Sequence, residues 1–264
     1  MDLPDTLADD LYDFAFCPEP CYERLVDLAN PEPWGEGNRV LKNYLLFSFK
    51  RAVQLTKRDH ATAATPSALP IVFDEGLCLF NTGLYTRRYE TVYALFEPNT
   101  REDARQRWFL KGFFKESDPA LLSFECLPCR VRFAEDPSEL VFDYRLPIRS
   151  NIDHVLGDER NLTRIPASLK GEENSLLLRR AFEGAVVEAA RRAAANYTLA
   201  VPQFYNGRIQ LLLPLCLTGD KPELALTIQR EDGFYSARTC LTLDMAYNNA
   251  RLICRPESSW IKRD

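Results

Sequence analysis

The sequence lacks the long apolar runs and the short motifs that identify membrane proteins and several common enzyme classes. No window approaches the roughly 18 uncharged apolar residues that a membrane-spanning helix requires. The start of the chain also lacks the basic and apolar regions of a signal peptide, so we expect a cytoplasmic protein with no membrane partner. No phosphate-cradling glycine-rich loop, dinucleotide fingerprint, His-Glu-x-x-His or Gly-x-Ser-x-Gly elbow occurs. The function therefore does not follow from any of these motifs.

Histidine is scarce, and the cysteines are poorly spaced for a metal site. The two histidines exclude a zinc site rich in imidazole. Four of the eight cysteines form two pairs, Cys17/Cys21 and Cys126/Cys129, which about a hundred residues separate. Zinc-binding modules usually bring such pairs together over a short loop. We therefore predict reduced thiols and no metal shared by the two pairs, and the sequence assigns no cofactor.

A generally basic surface is also missing, because the formal net charge is −5. Non-specific affinity for nucleic acid comes from lysines and arginines that neutralise phosphates. The charge therefore argues against a protein that coats a polyanion with its whole surface. It is compatible with a local basic groove.

The chain does contain enough apolar residues for one large core, with 46% hydrophobic residues in 264. Apolar residues recur at helical spacing in 39–56 and in 175–197, where Phe182 lies on the apolar stripe. From Ile71 onward short β-like runs follow one another, and their connections are too short for crossover helices. The runs Val131 to Phe133 and Leu140 to Leu146 are included among these predicted strands.

These patterns predict an α+β protein in which helices pack on a mainly antiparallel sheet, with a helical N-terminal extension. We expect the extension at residues 1–60 and the α+β domain at 61–264. The two parts are expected to form a single compact unit overall.

Polar side chains cluster at the ends of several apolar strands, where a half-buried polar group must find a partner. The candidate ligand-binding residues in these clusters are Asn81, Thr82, Asn151, Gln203, Tyr205, Gln210, Asp244, Tyr247, Asn248, Asn249 and Arg251. Each cluster also has a structural interpretation: a hairpin turn at 81–86, a helix capped by Asn151 or Asp153, a turn and strand at 203–210, and a helix capped by Asp244. A further candidate, Lys111, lies among aromatics and is either a snorkelling or a phosphate-binding lysine.

Two neighbouring residues, Asp153 and His154, are the catalytic candidates. An imidazole next to a carboxylate is suited to proton transfer near neutral pH, but adjacent side chains act as a pair only in a loop or a helix. The alternative is that His154 is a satisfied core residue. We also predict that Asp244 caps a helix from Met245 and that Arg251 points into the binding pocket.

Several of these segments resemble a bacterial and fungal family, the domain-of-unknown-function family 3825. The resemblance runs from about Ile71 to Trp260 and is carried by Asn81-Thr82-Gly83-Leu84, Lys111-Gly112-Phe113, Asn151-Ile152-Asp153-His154, Val201-Pro202-Gln203, Ile209 to Leu215 and Leu243 to Leu252. Members of that family recur beside cold-shock, zinc-finger and OST-HTH modules, which bind RNA. The resemblance therefore implies an RNA-linked role without naming an activity.

The sequence leaves three hypotheses open. The first is an enzyme that processes RNA ends or nucleotides, with Asp153 and His154 in acid–base roles and phosphate held by Lys111 and Arg251. The second is a non-catalytic module whose amide, phenol and guanidinium groups bind RNA or a nucleotide in a polar pocket. The third is a protein-interaction domain in which the polar clusters are only caps and turns.

Overall fold

The computed structural model describes residues 7–101 and 103–261. The chain divides into two compact units, Met1–Val131 and Arg132–Asp264. This division does not coincide with the expected boundary at residue 60, because the helices of the first sixty residues pack on strands of the first unit. Residues 1–6, on which the expectation about a signal peptide rests, lie outside the described residues. Within 7–101 and 103–261, no helix is both long enough and apolar enough to cross a membrane.

In its described residues, the first unit contains three α-helices and a five-stranded sheet. Its elements are α1 (Leu11–Phe14), β1 (Ala15–Phe16), α2 (Glu19–Leu28), α3 (Arg39–Asp59), β2 (Ile71–Asp74), β3 (Leu77–Tyr85), β4 (Thr91–Pro98) and β5 (Trp108–Lys115). The strand order is β1-β5-β4-β3-β2. Only β1 and β5 run parallel among the paired strands of this sheet in the described residues.

Helix α3 buries its apolar face on this sheet, as its sequence period predicts. Phe49 is fully buried and meets Phe80 of β3 edge-on, with ring centroids 5.4 Å apart. Phe14 of α1 lies 5.1 Å from Phe49 and 5.3 Å from Phe96 of β4. The helices of the N-terminal region are therefore part of the core of the first unit.

Up to residue 261, where the description ends, the second unit contains four α-helices and a second five-stranded sheet. Its elements are β6 (Ile148–Arg149), α4 (Ile152–Gly157), α5 (Glu159–Arg164), α6 (Ser175–Ala195), β7 (Val201–Tyr205), β8 (Arg208–Leu215), β9 (Leu224–Glu231), β10 (Phe234–Thr242) and α7 (Leu243–Arg251). The strand order is β6-β10-β9-β8-β7. Strands β7 to β10 are antiparallel neighbours, and β6 joins β10 in parallel.

Helix α6 covers one face of this second sheet. Its buried stripe includes Leu178, Phe182 and Ala189, which pack with the alternate residues Leu211 and Leu213 of β8. The small alanines of the stripe allow the helix to lie close to the strands. Helix α7 packs against the other face of the sheet, which also carries polar side chains.

The predicted α+β class with an N-terminal helical region is confirmed, with two sheets present. The strands predicted at 131–133 and 140–146 are wrong. The first segment is irregular, and the second follows a short 3₁₀ turn, Pro137–Leu140, that Asp136 caps by accepting a hydrogen bond from the Ser138 N–H. Prolines and caps in this stretch outweigh the β propensity of its apolar residues.

Candidate functional site

A polar cleft lies on the face of the second sheet that α6 does not cover. Side chains alternate along β8, so Leu211 and Leu213 enter the core under α6 while Gln210 faces the other way. On this second face α7 contacts β7, β9 and β10, and α5 contacts β10. The space between the two helices is a cleft of about 690 Å³.

Five side chains on this face form a continuous hydrogen-bonded row, the amide ladder, made of Asn249, Gln203, Gln210, Gln229 and Glu231. Asn249 Nδ2 donates to Gln203 Oε1 at 3.0 Å, and Gln203 Nε2 donates to Gln210 Oε1 at 2.8 Å. Gln210 Nε2 donates to Gln229 Oε1 at 3.3 Å, and Gln229 Nε2 donates to Glu231 Oε1 at 3.2 Å. Every donor points the same way, so the ladder has a direction from α7 to the last residue of β9.

Strand register explains why the three glutamines meet. Gln203 is the direct partner of Gln210 in the β7–β8 pair. Leu211 pairs with Ile228 in the β8–β9 pair, so Gln210 lies beside Gln229. All three glutamines are buried. Because an unpaired buried amide costs about 1–3 kcal/mol, the ladder is what makes three adjacent buried glutamines tolerable.

A β-bulge in β10 brings an arginine to the cleft. The pairing with β9 passes from Ala237 to Thr239 and skips Arg238. An extra residue of this kind re-aims side chains, and Arg238 and Thr239 both line the cleft. Arg238 reaches the end of the ladder, where its Nη2 donates to the same Glu231 oxygen that accepts from Gln229.

A buried asparagine of α5 fixes the opposite wall. Asn161 Nδ2 donates to the backbone oxygen of Val155 at 2.8 Å. Its Oδ1 accepts from Thr239 Oγ1 at 2.6 Å and from Arg164 Nη1 at 3.2 Å. Arg164 also donates to the Cys240 carbonyl. This network ties α5 to the bulged part of β10 and holds the Arg164 guanidinium in the wall.

The β7–β8 hairpin forms the rim of the cleft. Asn206 and Gly207 have φ values of 47° and 79°, the left-handed pair that a two-residue hairpin turn requires. Tyr205 precedes this turn with 55% of its surface exposed, and Arg208 follows it. Arg208 makes no side-chain hydrogen bond or ion pair with any residue that the structure describes. The rim therefore presents an exposed phenol ring, and a guanidinium that has no partner among the described residues.

The cleft is basic, although the chain is acidic. Among the residues that the structure describes, four arginines, Arg160, Arg164, Arg208 and Arg238, line it together with a single carboxylate, Asp158. Arg160 donates to both oxygens of Asp158, at 3.1 Å from Nε and 2.9 Å from Nη2. These hydrogen bonds hold the pKa of the Asp158 carboxyl below its usual value. Positive charge therefore dominates the lining.

The cleft brings together five of the residues that the sequence proposed. They are His154, Gln203, Tyr205, Gln210 and Asn249. They come from helix α4, both strands of the hairpin, and helix α7. Sequence patterns that looked like separate turns and caps therefore meet on one surface of the second unit.

The two catalytic candidates separate in the structure. Both belong to α4, where Asn151 is the cap and accepts a hydrogen bond from the His154 backbone N–H at 3.2 Å. The exposed Asp153 carboxylate pairs with Arg179 of α6 and is not among the residues lining the cleft. The His154 side chain is exposed, so it is not the buried core residue of the alternative interpretation.

The residues predicted in the first unit have structural partners. Asn81 and Thr82 are buried in a β-bulge of β3 and not in the hairpin turn that the sequence suggested. Asn81 Nδ2 donates to the Pro128 carbonyl at 2.8 Å, and Thr82 Oγ1 donates to the Val92 carbonyl at 2.5 Å. Lys111 is half-exposed on β5 and forms an ion pair with Glu97 at 3.2 Å.

Helix α7 contributes one ladder residue and corrects the predicted position of its cap. Its cap is Thr242, whose side chain accepts from the Met245 N–H at 3.3 Å, so the predicted cap at Asp244 is wrong. Asp244 lies in the first turn. The other predicted residues of this helix, Tyr247, Asn248 and Arg251, are outside the residues that line the cleft; Tyr247 and Arg251 are buried.

The sequence reasoning missed Gln229 and all four arginines of the cleft, Arg160, Arg164, Arg208 and Arg238. Gln229 had a signal, because Thr227 and Gln229 alternate with apolar residues along β9. Arg238 had none, since its orientation depends on the bulge. Among the described residues, no group of three or more histidine, cysteine, aspartate or glutamate side chains is arranged to hold a metal ion.

The chain matches a known family over most of its length. A model of the family described as a domain of unknown function (DUF3825) covers residues 25–260. The chain therefore belongs to this family, and the resemblance found in the sequence is confirmed. Comparison with curated proteins gives no match, and comparison with solved structures gives none either.

Proposed function

We propose that the second unit binds a short single-stranded segment of RNA in the cleft, with the amide ladder facing the bases and the arginines facing the phosphates. The ladder is the observation that carries the proposal. Amide side chains that present one donor and one acceptor match the edges of nucleobases, and single-stranded RNA is read by such hydrogen bonds together with stacking.

The charge and the rim support the same ligand. Guanidinium groups bind phosphate through two hydrogen bonds, and Arg208 has no ion pair to break among the described residues. Tyr205 exposes a ring on which a base can stack. The family resemblance implies an association with RNA-binding modules, which is why we propose RNA as the nucleic acid.

Binding without catalysis is the form of the proposal that the cleft favours. Two carboxylates near His154 in the sequence, Asp153 and Asp158, are engaged by Arg179 and Arg160 respectively. General acid–base catalysis by histidine usually depends on a carboxylate or a carbonyl that orients the ring. In our proposal His154 contributes to ligand binding, and processing of RNA ends remains the alternative hypothesis.

Fluorescence anisotropy with a labelled single-stranded RNA tests the proposal. Arg208→Gln should weaken binding about tenfold, the effect of losing about 1.4 kcal/mol. It should also reduce the slope of log K against log salt by about 0.7, the value for one phosphate contact on a single strand. The separate variant Tyr205→Ala should also weaken RNA binding, because stacking contributes about 1–3 kcal/mol per base.

Arg191→Gln is the matched control, because Arg191 is an exposed arginine of α6, the helix that packs on the other face of the sheet. It should leave the affinity unchanged. Absence of RNA binding by the unaltered protein at low salt, or an equal loss of affinity in Arg191→Gln and Arg208→Gln, would overturn the proposal.

A further inference from the structure

The direction of the amide ladder is fixed at one end by chemistry. An ionised carboxylate can only accept hydrogen bonds, and a guanidinium can only donate them. Because Glu231 accepts from Arg238, it presents an acceptor to Gln229. Gln229 must therefore turn its NH₂ group toward Glu231 and its oxygen toward the rest of the ladder.

The remaining amides follow this choice in turn. The oxygen of Gln229 requires the NH₂ group of Gln210, and the oxygen of Gln210 requires the NH₂ group of Gln203. Each glutamine uses one of its two N–H donors and one of its two acceptor sites in the row. One donor and one acceptor per amide are not used in the row, and the three glutamines line the cleft, so their order along it is the one that the end of the ladder dictates.

That order separates two chemical classes of nucleobase. On their Watson–Crick edges, adenine and cytosine carry an exocyclic amino donor beside a ring acceptor, whereas guanine and uracil carry an exocyclic oxygen beside a ring donor. If the phosphates are held by the arginines, a ladder of one direction matches one class. A ladder of the opposite direction matches the other class.

We propose that Glu231, held by Arg238, is a positioning residue that fixes the direction of the amide ladder and thereby decides whether the cleft prefers amino-bearing or oxo-bearing bases. This inference rests on the proposed RNA-binding function. Glu231 itself is outside the residues that line the cleft, so in this proposal it acts through Gln229.

The experiment compares cytidine and uridine homo-oligomers of equal length, which have rings of the same size and opposite donor and acceptor order. The unaltered protein should prefer one of them by about tenfold, as expected for a bidentate contact with a base. The double variant Glu231→Lys with Arg238→Glu retains an ion pair and presents a donor to Gln229 instead of an acceptor. It should invert the preference.

Two single variants are the controls. Glu231→Gln still offers an oxygen to both Gln229 and Arg238, so the ratio of the two affinities should be unchanged. Arg238→Gln should weaken binding of both oligomers and leave their ratio unchanged, because Glu231 remains an acceptor. Glu231→Lys alone should also invert the ratio, which keeps the test decisive if the double variant does not fold.

The outcomes distinguish the two proposals. Two outcomes overturn the role of Glu231 and leave RNA binding intact. In the first, the unaltered protein binds both oligomers with no preference. In the second, both variants that carry Lys at position 231 keep the preference of the unaltered protein. No binding of either oligomer by the unaltered protein overturns RNA binding and the inference with it.

Discussion

Gln203 and Gln210 face each other across strands β7 and β8, and the buried amide of Gln203 donates to that of Gln210 at 2.8 Å. Gln210 is therefore the central member of a row in which each buried polar group depends on its neighbours. The consequences for stability follow from this dependence.

Replacing Gln210 by methionine should lower the free energy of unfolding by about 1–3 kcal/mol, because the N–H of Gln203 and the oxygen of Gln229 lose their partners. Urea unfolding measures this loss. Replacing Gln203, Gln210 and Gln229 together should cost much less than the sum of the three single changes, because no glutamine then remains unpaired. Additive costs would contradict a shared network.

Gly83→Ala should destabilise the first unit more than a positive φ alone explains. Gly83 has φ 71°, and an added Cβ would lie 2.7 Å from the Tyr44 hydroxyl, which donates to the Thr82 carbonyl at 2.7 Å. Gly76→Ala is the matched control, since Gly76 has φ 78° and nothing within 4 Å of the added Cβ. The control should cost about 1–2 kcal/mol, and Gly83→Ala should cost more in the same urea titration. Equal costs would show that Tyr44 moves without penalty.

Asp143 should stabilise the second unit only above acid pH. Hydrogen bonds from Arg145 lower the pKa of the Asp143 carboxyl to about 2, with a further contribution from the charge of Arg230. The ordinary value is about 3.9. Since the folded pKa is the lower one, the stabilisation is present above about pH 4 and is lost as the pH falls toward about 2.

Asp143→Asn should therefore reduce stability near neutral pH, and its difference from the unaltered protein should shrink as the pH falls through this window. Urea unfolding at several pH values gives the difference. Arg145→Gln should show the same trend, because it removes the other half of the pair. A difference that is independent of pH would exclude this ion pair as its origin.

The cap of α7 gives a prediction that distinguishes Thr242, the cap in the structure, from Asp244, the cap expected from the sequence. Thr242→Ala should cost about 0.5–2 kcal/mol in thermal or urea unfolding, because the Met245 N–H loses its acceptor. Thr242→Ser keeps the hydroxyl oxygen and should cost much less. Since α7 carries Asn249, Thr242→Ala should also weaken RNA binding in the proposed cleft. Equal stability of the alanine and serine variants would contradict the cap.

Periodicity predicted the parts of this fold that depend on one element at a time. The stripe through Phe182 identified α6, and the turn and strand expected at 203–210 correspond to the β7–β8 hairpin, because both signals are local. The boundary between the units depends on contacts distant in sequence. No local pattern reports such contacts, and the break after Val131 was not predicted.

The candidate site was predicted in part for the same reason. Gln203 and Gln210 were proposed because they flank a visible turn, but their pairing with Gln229 depends on the register of β9. We expected Asp153 to act with His154 because the two are adjacent in sequence. In the folded chain, Asp153 forms an ion pair with Arg179. Adjacent residues of a helix point about 100° apart, so neighbours in sequence often have different partners.

Because Arg238 is the extra residue of the bulge, its charge can be lost from the cleft without a change in the strand pairing around it. Pairing with β9 resumes at Thr239, so the remaining register of β10 and the start of α7 do not depend on residue 238. A protein that lacks residue 238 is expected to keep the sheet and to lose only the guanidinium that holds Glu231. Evolution can therefore add or remove this contact in one insertion or deletion, without any change in the order of the strands.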